Sequence, residues 1–487
     1  MKTMSDLLEP GRNCWRLENA DRFSVIIDAE QYFLAARDAM LQAKKSIILV
    51  GWDFDARIHL GRSESDRNAP DTLGDLVLWL VEREPRLEIR LLQWNSGRFR
   101  NLVRGTNAWY LMRWKMHDRI TARLDGIHPP LASHHQKLLV VDDSLAFCGG
   151  IDMTMKRWDT RAHADAEPGR TSPSGKQLQP WHDLTSIFDA DAAKAMGDLC
   201  RLRWKRACGE VLEPVADGKV NWPENILPLV GPARIGIARS QPEMEDQDPV
   251  REIEALHIDM IAAAKTLIYA ESQYFASRRI AAALARRLEE PDGPEVVIVN
   301  PAEAEGWLEP LAMDTARARL VASLMRHDPH GRLAIYHPVT AGENPIYVHA
   351  KLLIVDDRLL RIGSSNFNNR SMRLDSECDV VLDATQDGSG AIAGKLRDLL
   401  HDLLAEHLGR TPEAVAASVA REGSLVRGIE ALRGSGRSLV PYEIPDLSAL
   451  QAWLADNEIL DPDGPEEVFE TIGKRGLFRG RLRKPGH

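Results

Sequence analysis

Two short strings carry the groups able to do chemistry. His135, Lys137 and Asp142 stand in His135-Gln136-Lys137-Leu138-Leu139-Val140-Val141-Asp142, and the same spacing returns 214 residues later (349 − 135) as His349, Lys351 and Asp356. Gly149-Gly150-Ile151-Asp152 and Gly363-Ser364-Ser365-Asn366 keep that offset. A repeat of this length implies two copies of one half-domain. Together they bring two imidazoles and two ammonium groups to one site. A phosphodiester is an anion and repels nucleophiles; two ammonium groups would hold its non-bridging oxygens and act more strongly as charge builds. One neutral imidazole can attack phosphorus covalently. The other, protonated, can supply the leaving alkoxide with a proton and later take one from the acceptor. Imidazole titrates near neutrality, so both forms are accessible. No metal or cofactor is expected: the ammonium groups replace one, and no ligand cluster of zinc type is visible in the sequence.

Each imidazole also needs an orienting partner on its other nitrogen. Two acids lie downstream: Asp183, 48 residues after His135 (183 − 135), and Glu377, 28 residues after His349 (377 − 349). The extra length in the first half falls around Ala162 to Pro180, rich in Gly, Pro, Ser and charge, which reads as a loop insertion.

The elements that must position these groups follow from pattern. Alternation puts His135 and Lys137 on one face of a strand, and His349 and Lys351 likewise. The apolar runs after them read as buried strand interior, closed by tight turns at Asp142-Asp143-Ser144 and Asp356-Asp357-Arg358. Asp142 and Asp356, although part of the motif, therefore read as strand-end holders. Both halves open alike: strand Phe23 to Ile27, helix Ala29 to Ala43 and strand Ser46 to Val50, then strand Arg234 to Ala238, helix Val250 to Ala264 and strand Thr266 to Ala270. Glu271-Ser272-Gln273-Tyr274-Phe275 ends the last of these and is expected at the rim of the site. Further strands are expected at Glu88 to Gln93, Glu295 to Asn300 and Arg332 to Tyr336, an α/β pattern.

These strings resemble the phospholipase D superfamily, whose signature H-x-K-x-x-x-x-D occurs twice per site. Glu271 to Phe275 is similar to the E-N-Q-F/Y-F string of phosphatidylcholine-hydrolysing phospholipases D. So are Gly149 to Thr154 with Arg157-Trp158-Asp159, while Gly363 to Met372 is close to G-S-A-N-x-N-x-R-S-M. The resemblance covers roughly residues 20–405. It implies an α/β fold of two phospholipase D-like α/β/α sandwich half-domains with pseudo-twofold symmetry, plus a small C-terminal helical extension. The expected divisions are residues 1–225, 226–410 and 411–487, the last with a basic tail from Lys474 to Lys484. It further implies His135 as nucleophile, His349 as general acid and base, and Asp183 and Glu377 as orienting acids. Asn366 matches a phosphate-binding position; its first-half counterpart is Asp152, a departure from Asn. Gly150, Ser364 and Gln273 lie in the expected substrate-binding strings. The implied activity is a phospholipase D, cleaving glycerophospholipids to phosphatidic acid and head group, with transphosphatidylation through a phosphohistidine. The alternatives are a cardiolipin synthase-type phosphatidyltransferase and a nuclease or phosphodiesterase of the same superfamily.

Composition narrows the class. The 487 residues hold 44% hydrophobic and 28% charged side chains, with net charge −10 and pI about 5.9, which fits a soluble globular chain. Nucleic-acid enzymes usually carry a basic balance, so no nucleic-acid partner is expected. The expected partners are a phospholipid and a membrane surface, touched peripherally by a monomer. Residues 1–22 lack a signal-type apolar core, and no run reaches the ~18 apolar residues of a membrane span, so a cytoplasmic location is expected. Five cysteines without C-x-x-C spacing argue against a disulfide framework or zinc site; Cys148 and Cys378 read as packing residues, and His134 and His182, which adjoin the site, read as supporting or packing residues rather than catalytic ones. Trp109, Tyr110 and Trp114 with Met112 and Met116 read as a helix packed on the core, with an acyl-chain wall or membrane-dipping element as the alternative. The basic tail, interleaved with Leu477 and Phe478, could contact anionic lipid.

Overall fold

The computed structural model describes residues 7–61, 68–95, 106–172, 175–304, 309–386 and 390–444. The basic tail from Lys474 to Lys484 lies outside the described residues, so the lipid contact expected of it has no structural counterpart here.

Apolar strand runs form two mixed sheets. In the first, the spatial order is β2 (Phe23–Ile27), β9 (Leu184–Asp189), β7 (Leu145–Gly149), β6 (Leu138–Val141), β3 (Ser46–Gly51), β4 (Glu88–Trp94) and β5 (Ile120–Asp125). In the second it is β10 (Ala233–Gln241), β18 (Glu377–Asp383), β17 (Leu359–Gly363), β16 (Lys351–Val355), β12 (Leu267–Ser272), β13 (Glu295–Val299) and β14 (Leu333–Val339). The seven-strand order is the same in both, with a parallel triplet (β3-β4-β5, β12-β13-β14) joined to an antiparallel stretch. The motif strands β6 and β16 are buried along their whole length. Strands covered on both faces read as continuous apolar runs rather than alternation, which is why both strings are so uniformly Leu, Val and Ile.

Helices cover both sheets. In the first half, α1 (Ala29–Gln42) and α2 (Leu73–Arg83) pack on the outer face, and α3 (Thr106–Lys115) adjoins β5. In the second, α5 (Glu252–Ala263), α6 (Arg278–Glu289) and α7 (Glu309–Arg326) do the same. Between the sheets lie α4 (Ala190–Cys208) and α8 (Ala391–Leu408), in one core shared by both halves. Ala192, Ala193 and Met196 from α4 and Leu396, Leu400 and Leu403 from α8 meet Val140, Ile354 and Val380 there. The middle layer thus makes the halves one body and sets the distance between their motif strands.

Three expectations change. The chain's first strand, β1 (Arg16–Ala20), is not part of the first half: it pairs antiparallel with β10 at the edge of the second sheet. The start of the expected first division thus completes the edge of the second sheet, where the backbone groups of β10 would otherwise stand unpaired. The C-terminal region is not only helical: after α9 (Pro412–Glu422) and α10 (Leu425–Leu432), β19 (Ser438–Pro441) adds to β14 at the opposite edge. Both additions cap edges that would otherwise expose unpaired backbone groups. Lastly, α3 splits: Trp114 is buried with its Nε1 donating to Gly74 O at 3.2 Å, whereas Trp109, Met112 and Met116 are exposed. Helical geometry lets only one stripe face the core. No helix among the described residues is long and apolar enough to cross a membrane.

Candidate active site

The two motif strings meet through short parallel pairings that cross between halves. β15 (Tyr347–Val348) pairs with β8 (Trp181–His182), setting Val348 beside His182. The matching bridge on the other side joins His134 to Ser376. These positions are related by the repeat, and each places a motif histidine next to the acid of the opposite half. His349 N donates to His182 O at 2.8 Å and His135 N to Ser376 O at 2.9 Å.

The orienting pairs therefore cross. His349 Nδ1 lies 2.7 Å from Asp183 Oδ2, and His135 Nδ1 lies 3.1 Å from both Glu377 oxygens and 3.0 Å from Ser364 O. Every partner of the two Nδ1 atoms is an acceptor, so Nδ1 carries the proton in both rings. Each Nε2 is thereby left with its lone pair. Both imidazoles are held well below their ordinary value, by burial first and then by neighbouring cations: Lys137 and Lys351 at His135, and Lys351, Arg157 and Lys137 at His349. Burial pushes the carboxyls the other way, Asp183 to about 6 and Glu377 to about 7.

The cations are buried too. Lys137 Nζ donates to His135 O at 2.8 Å and faces Asp152 Oδ2 at 3.3 Å. Lys351 Nζ donates to His349 O and, at 3.4 Å, to Gln273 Oε1; burial lowers its ammonium to about 7. Gln273 in turn donates to the Tyr347 hydroxyl at 3.0 Å. The Asn366 Oδ1 atom is buried and accepts no hydrogen bond among the described residues. A third cation, Arg157, lies over the Trp181 ring at 4.2 Å, and that ring packs on His349 at 5.2 Å. Arg157 stood in the Arg-Trp-Asp string, but nothing in its spacing marked it as facing the second-half histidine.

Four residues of these strings hold the site in place rather than meet the phosphate. Asp142 and Asp356 do not reach the chemistry. Asp142 accepts from Lys44, Lys45 and Ser46 N at 2.8, 2.9 and 2.7 Å, and Asp356 from Thr266 and Leu267 N at 2.8 and 2.9 Å. Each sits at φ near 50° (51° and 53°), a left-handed turn conformation that Asp tolerates, at the far end of its strand. Asp152 turns Oδ2 to Lys137 and Oδ1 to Trp52 N at 3.0 Å. A carboxylate so placed fixes Lys137 and would repel phosphate rather than bind it. Gly150 is a space rather than a ligand: a Cβ there would stand 2.2 Å from Asp183 Oδ1. Its repeat partner Ser364 instead donates from Oγ to Glu377 Oε2 at 2.5 Å.

The expected rim string also divides. Gln273 faces the site, but Glu271 is buried behind it, accepting from Tyr269 OH at 2.6 Å and lying 2.8 Å from His182 Nε2 and 3.0 Å from His407 Nε2. His182 is thus no simple packing residue. It joins Asp28, His163 and Glu406 in a buried cluster that sequence spacing did not reveal. His134 is buried among polar partners, with Nδ1 3.1 Å from Ser376 Oγ and Nε2 3.1 Å from Asp125 Oδ1, while Cys148 and Cys378 are buried packing groups, with Cys148 Sγ 3.4 Å from Cys378 O across the halves.

The family comparisons agree with this architecture. Residues 39–225 match the model described as phospholipase D, and residues 257–402 match one described as cardiolipin synthase, PLD-like domain. Phospholipase D A of Dictyostelium discoideum is 25% identical over 82% of the chain and 37% of its own length. Phospholipase D alpha 1 of Zea mays is 23% identical over 76% of the chain and 63% of its own length. The chain thus spans less than two thirds of these relatives. Phosphatidylserine synthase of Haemophilus influenzae shares the fold, with a TM-score of 0.54 at 15% identity over 84% of this chain and 95% of that one. With its duplicated seven-strand sheets and paired His-x-Lys strings, the chain belongs to the phospholipase D superfamily.

Proposed function

We propose that the chain is a phosphodiesterase of phospholipase D type, acting on glycerophospholipids to release phosphatidic acid and a free head group. The observation that carries this reading is the crossed pair His135–Glu377 and His349–Asp183, with Lys137 and Lys351 beside it. With Nδ1 protonated and held by Glu377, His135 Nε2 attacks phosphorus and a phosphohistidine forms as the head-group oxygen departs. His349, charged through Nε2 when the anionic substrate is bound, hands its proton to that oxygen. Water or an alcohol then enters, gives its proton to His349 Nε2, and displaces His135. Lys137, Lys351 and Arg157 offset the charge gained by the non-bridging oxygens, and the Asn366 amide offers an N–H to one of them. Exposed Trp109, Met112, Met116, Ile127 and Leu131 support a peripheral contact with the lipid surface. A phosphatidyltransferase shares every step except the acceptor, and the match of residues 257–402 to a cardiolipin synthase-type model keeps it as the second reading.

The test offers mixed phospholipids with water alone, ethanol or glycerol and reads the products by mass spectrometry. The expected result is phosphatidic acid in water and phosphatidylethanol at its expense in ethanol. Both should be lost by ~10³-fold or more in His135→Ala and His349→Ala. Inversion at a chiral phosphorothioate, or no alcohol transfer at all, would exclude the covalent route. Glycerol products with no hydrolysis would favour the transferase.

A further inference from the structure

We propose that Asp28, His163, His182 and Glu406 form a structural site for one first-row divalent cation, Zn2+ by its donor chemistry, directly behind the catalytic Asp183. The four side chains are fully enclosed, and one ligand atom from each falls within 4.8 Å of the others. Four of the separations approach those around a four-coordinate ion, with Asp28 reaching the two imidazoles through different oxygens. Glu406 Oε1 is 3.1 Å from His163 Nε2 and 2.9 Å from His182 Nδ1. Asp28 Oδ2 is 3.3 Å from His163 Nε2, and Asp28 Oδ1 is 3.4 Å from His182 Nδ1. Tetrahedral bonds of ~2.0–2.1 Å put neighbouring ligand atoms ~3.3 Å apart.

The outer hydrogen bonds give the second argument. His163 turns its other nitrogen, Nδ1, to Asp159 Oδ2 at 2.9 Å, and His182 turns Nε2 to Glu271 Oε2 at 2.8 Å. Both carboxylates are themselves anchored, Asp159 by Arg170 at 2.7 Å and Trp181 N at 2.8 Å, Glu271 by Tyr269 and His407. A carboxylate on the outer nitrogen fixes the tautomer that aims the inner lone pair at a metal, the usual support of metal-ligating histidine. The inner atoms are then two imidazole nitrogens and two carboxylates facing one another, with Arg161 Nε on the other Glu406 oxygen at 2.5 Å; one divalent ion can take the place of the two inner imidazole protons that otherwise hold the set together. Asp28 Oδ2, on a side chain almost wholly buried, accepts no hydrogen bond among the described residues. Two imidazole nitrogens with two carboxylate oxygens suit Zn2+ better than Ca2+ or Mg2+, which take oxygen ligands.

The site would tie the halves together and hold the chemistry in place. Asp28, His163 and His182 come from the first half, while Glu406 reaches in from α8. Asp183 follows His182 directly; its N–H donates to Asp28 Oδ1 at 3.1 Å, and its carbonyl accepts from Asp28 N at 2.9 Å. An ion on Asp28 and His182 would therefore fix the backbone that points Asp183 at His349.

The test uses untagged full-length protein grown with zinc, with metal content read by plasma mass spectrometry. Close to one equivalent of Zn2+ is expected. It should be retained in His135→Ala and lost in His163→Gln and in Glu406→Gln. Should those variants fail to fold, the wild-type chain answers alone: stripped with a strong chelator and refilled with Co2+, it should show the visible bands of four-coordinate cobalt, and Zn2+ should bleach them and raise the melting temperature. A metal-free protein that neither takes Co2+ nor melts higher with Zn2+ would overturn the proposal, leaving a closed network of ion pairs. Metal retained by both folded variants would overturn it equally, since the ion would then lie elsewhere.

Discussion

Replacing Gly150 by alanine should disable the second-half histidine without touching it. The added Cβ would stand 2.2 Å from Asp183 Oδ1, where ordinary contact begins near 3.4 Å, so 1.2 Å (3.4 − 2.2) must be found. Gly150 cannot easily retreat, because its N–H donates to Leu184 O at 2.8 Å. The carboxylate must give way, and it holds two bonds: Leu184 N to Oδ1 at 2.8 Å and His349 Nδ1 to Oδ2 at 2.7 Å. Lengthening the second by ~1.2 Å takes it to ~3.9 Å, beyond hydrogen-bonding range. A misplacement of ~1 Å can cost ~10²-fold, and loss of tautomer control by an orienting aspartate has cost ~10⁴-fold in a serine protease triad. We therefore expect kcat to fall by ~10²–10⁴. The melting temperature should fall by several degrees, as bonds to a charged group contribute ~1.5–3 kcal/mol each. Initial rates on a soluble short-chain phosphodiester, with circular dichroism and thermal melts, measure both. Gly394→Ala on α8, where no atom lies nearer than 4.0 Å, is the control and should be neutral or slightly stabilising. A Gly150→Ala protein with kcat within threefold of the parent and an unchanged melt would refute the reasoning.

Three further outcomes follow from the same geometry. In the free enzyme burial lowers Lys351 to about 7, while a bound phosphodiester favours its charged form. kcat/KM should then decline above pH 7, mainly through KM, and a flat profile from pH 6 to 9 would count against Lys351 as the anion's partner. Glu377 is raised from an ordinary 4.5 to about 7; its stabilising contribution is present in full below pH 4.5 and is lost as pH rises through 7. At pH 8, Glu377→Gln should therefore stabilise the fold by up to about 3 kcal/mol, at ~1.36 kcal/mol for each pKa step. Turnover should drop as His135 loses its anionic partner, and a variant both less stable and fully active would contradict this. Asp142→Ala leaves three backbone N–H groups without their acceptor, so urea titration should show a loss of ~3 kcal/mol or more while kcat per folded molecule stays near the parent value.

Much of this protein is written in local pattern. The His-x-Lys spacing, the apolar runs behind it and the 214-residue offset (349 − 135) identify two copies of one strand-centred unit, and the sheets repeat one seven-strand order. Strands such as Glu88–Trp94 and Glu295–Val299 were legible because buried apolar runs look the same wherever they occur. The turn role of Asp142 and Asp356 was legible too, since Asp closing an apolar run accepts from nearby backbone.

What the sequence could not contain is who meets whom across the halves. Asp183 follows the first histidine in the chain yet serves the second, and Glu377 serves the first. The exchange depends on pairings at Val348–His182 and His134–Ser376, separated by well over a hundred residues. The edge positions of Arg16–Ala20 and Ser438–Pro441 are of the same kind, because their partners are backbone groups and leave no mark in side-chain pattern. The cluster of Asp28, His163, His182 and Glu406 draws one residue each from a strand end, a loop, a short cross-half strand and the central helix α8. No short spacing can announce such a set. Periodicity along a chain reports which face is buried, whereas the meeting of distant charges is decided only when two sheets close on a common core.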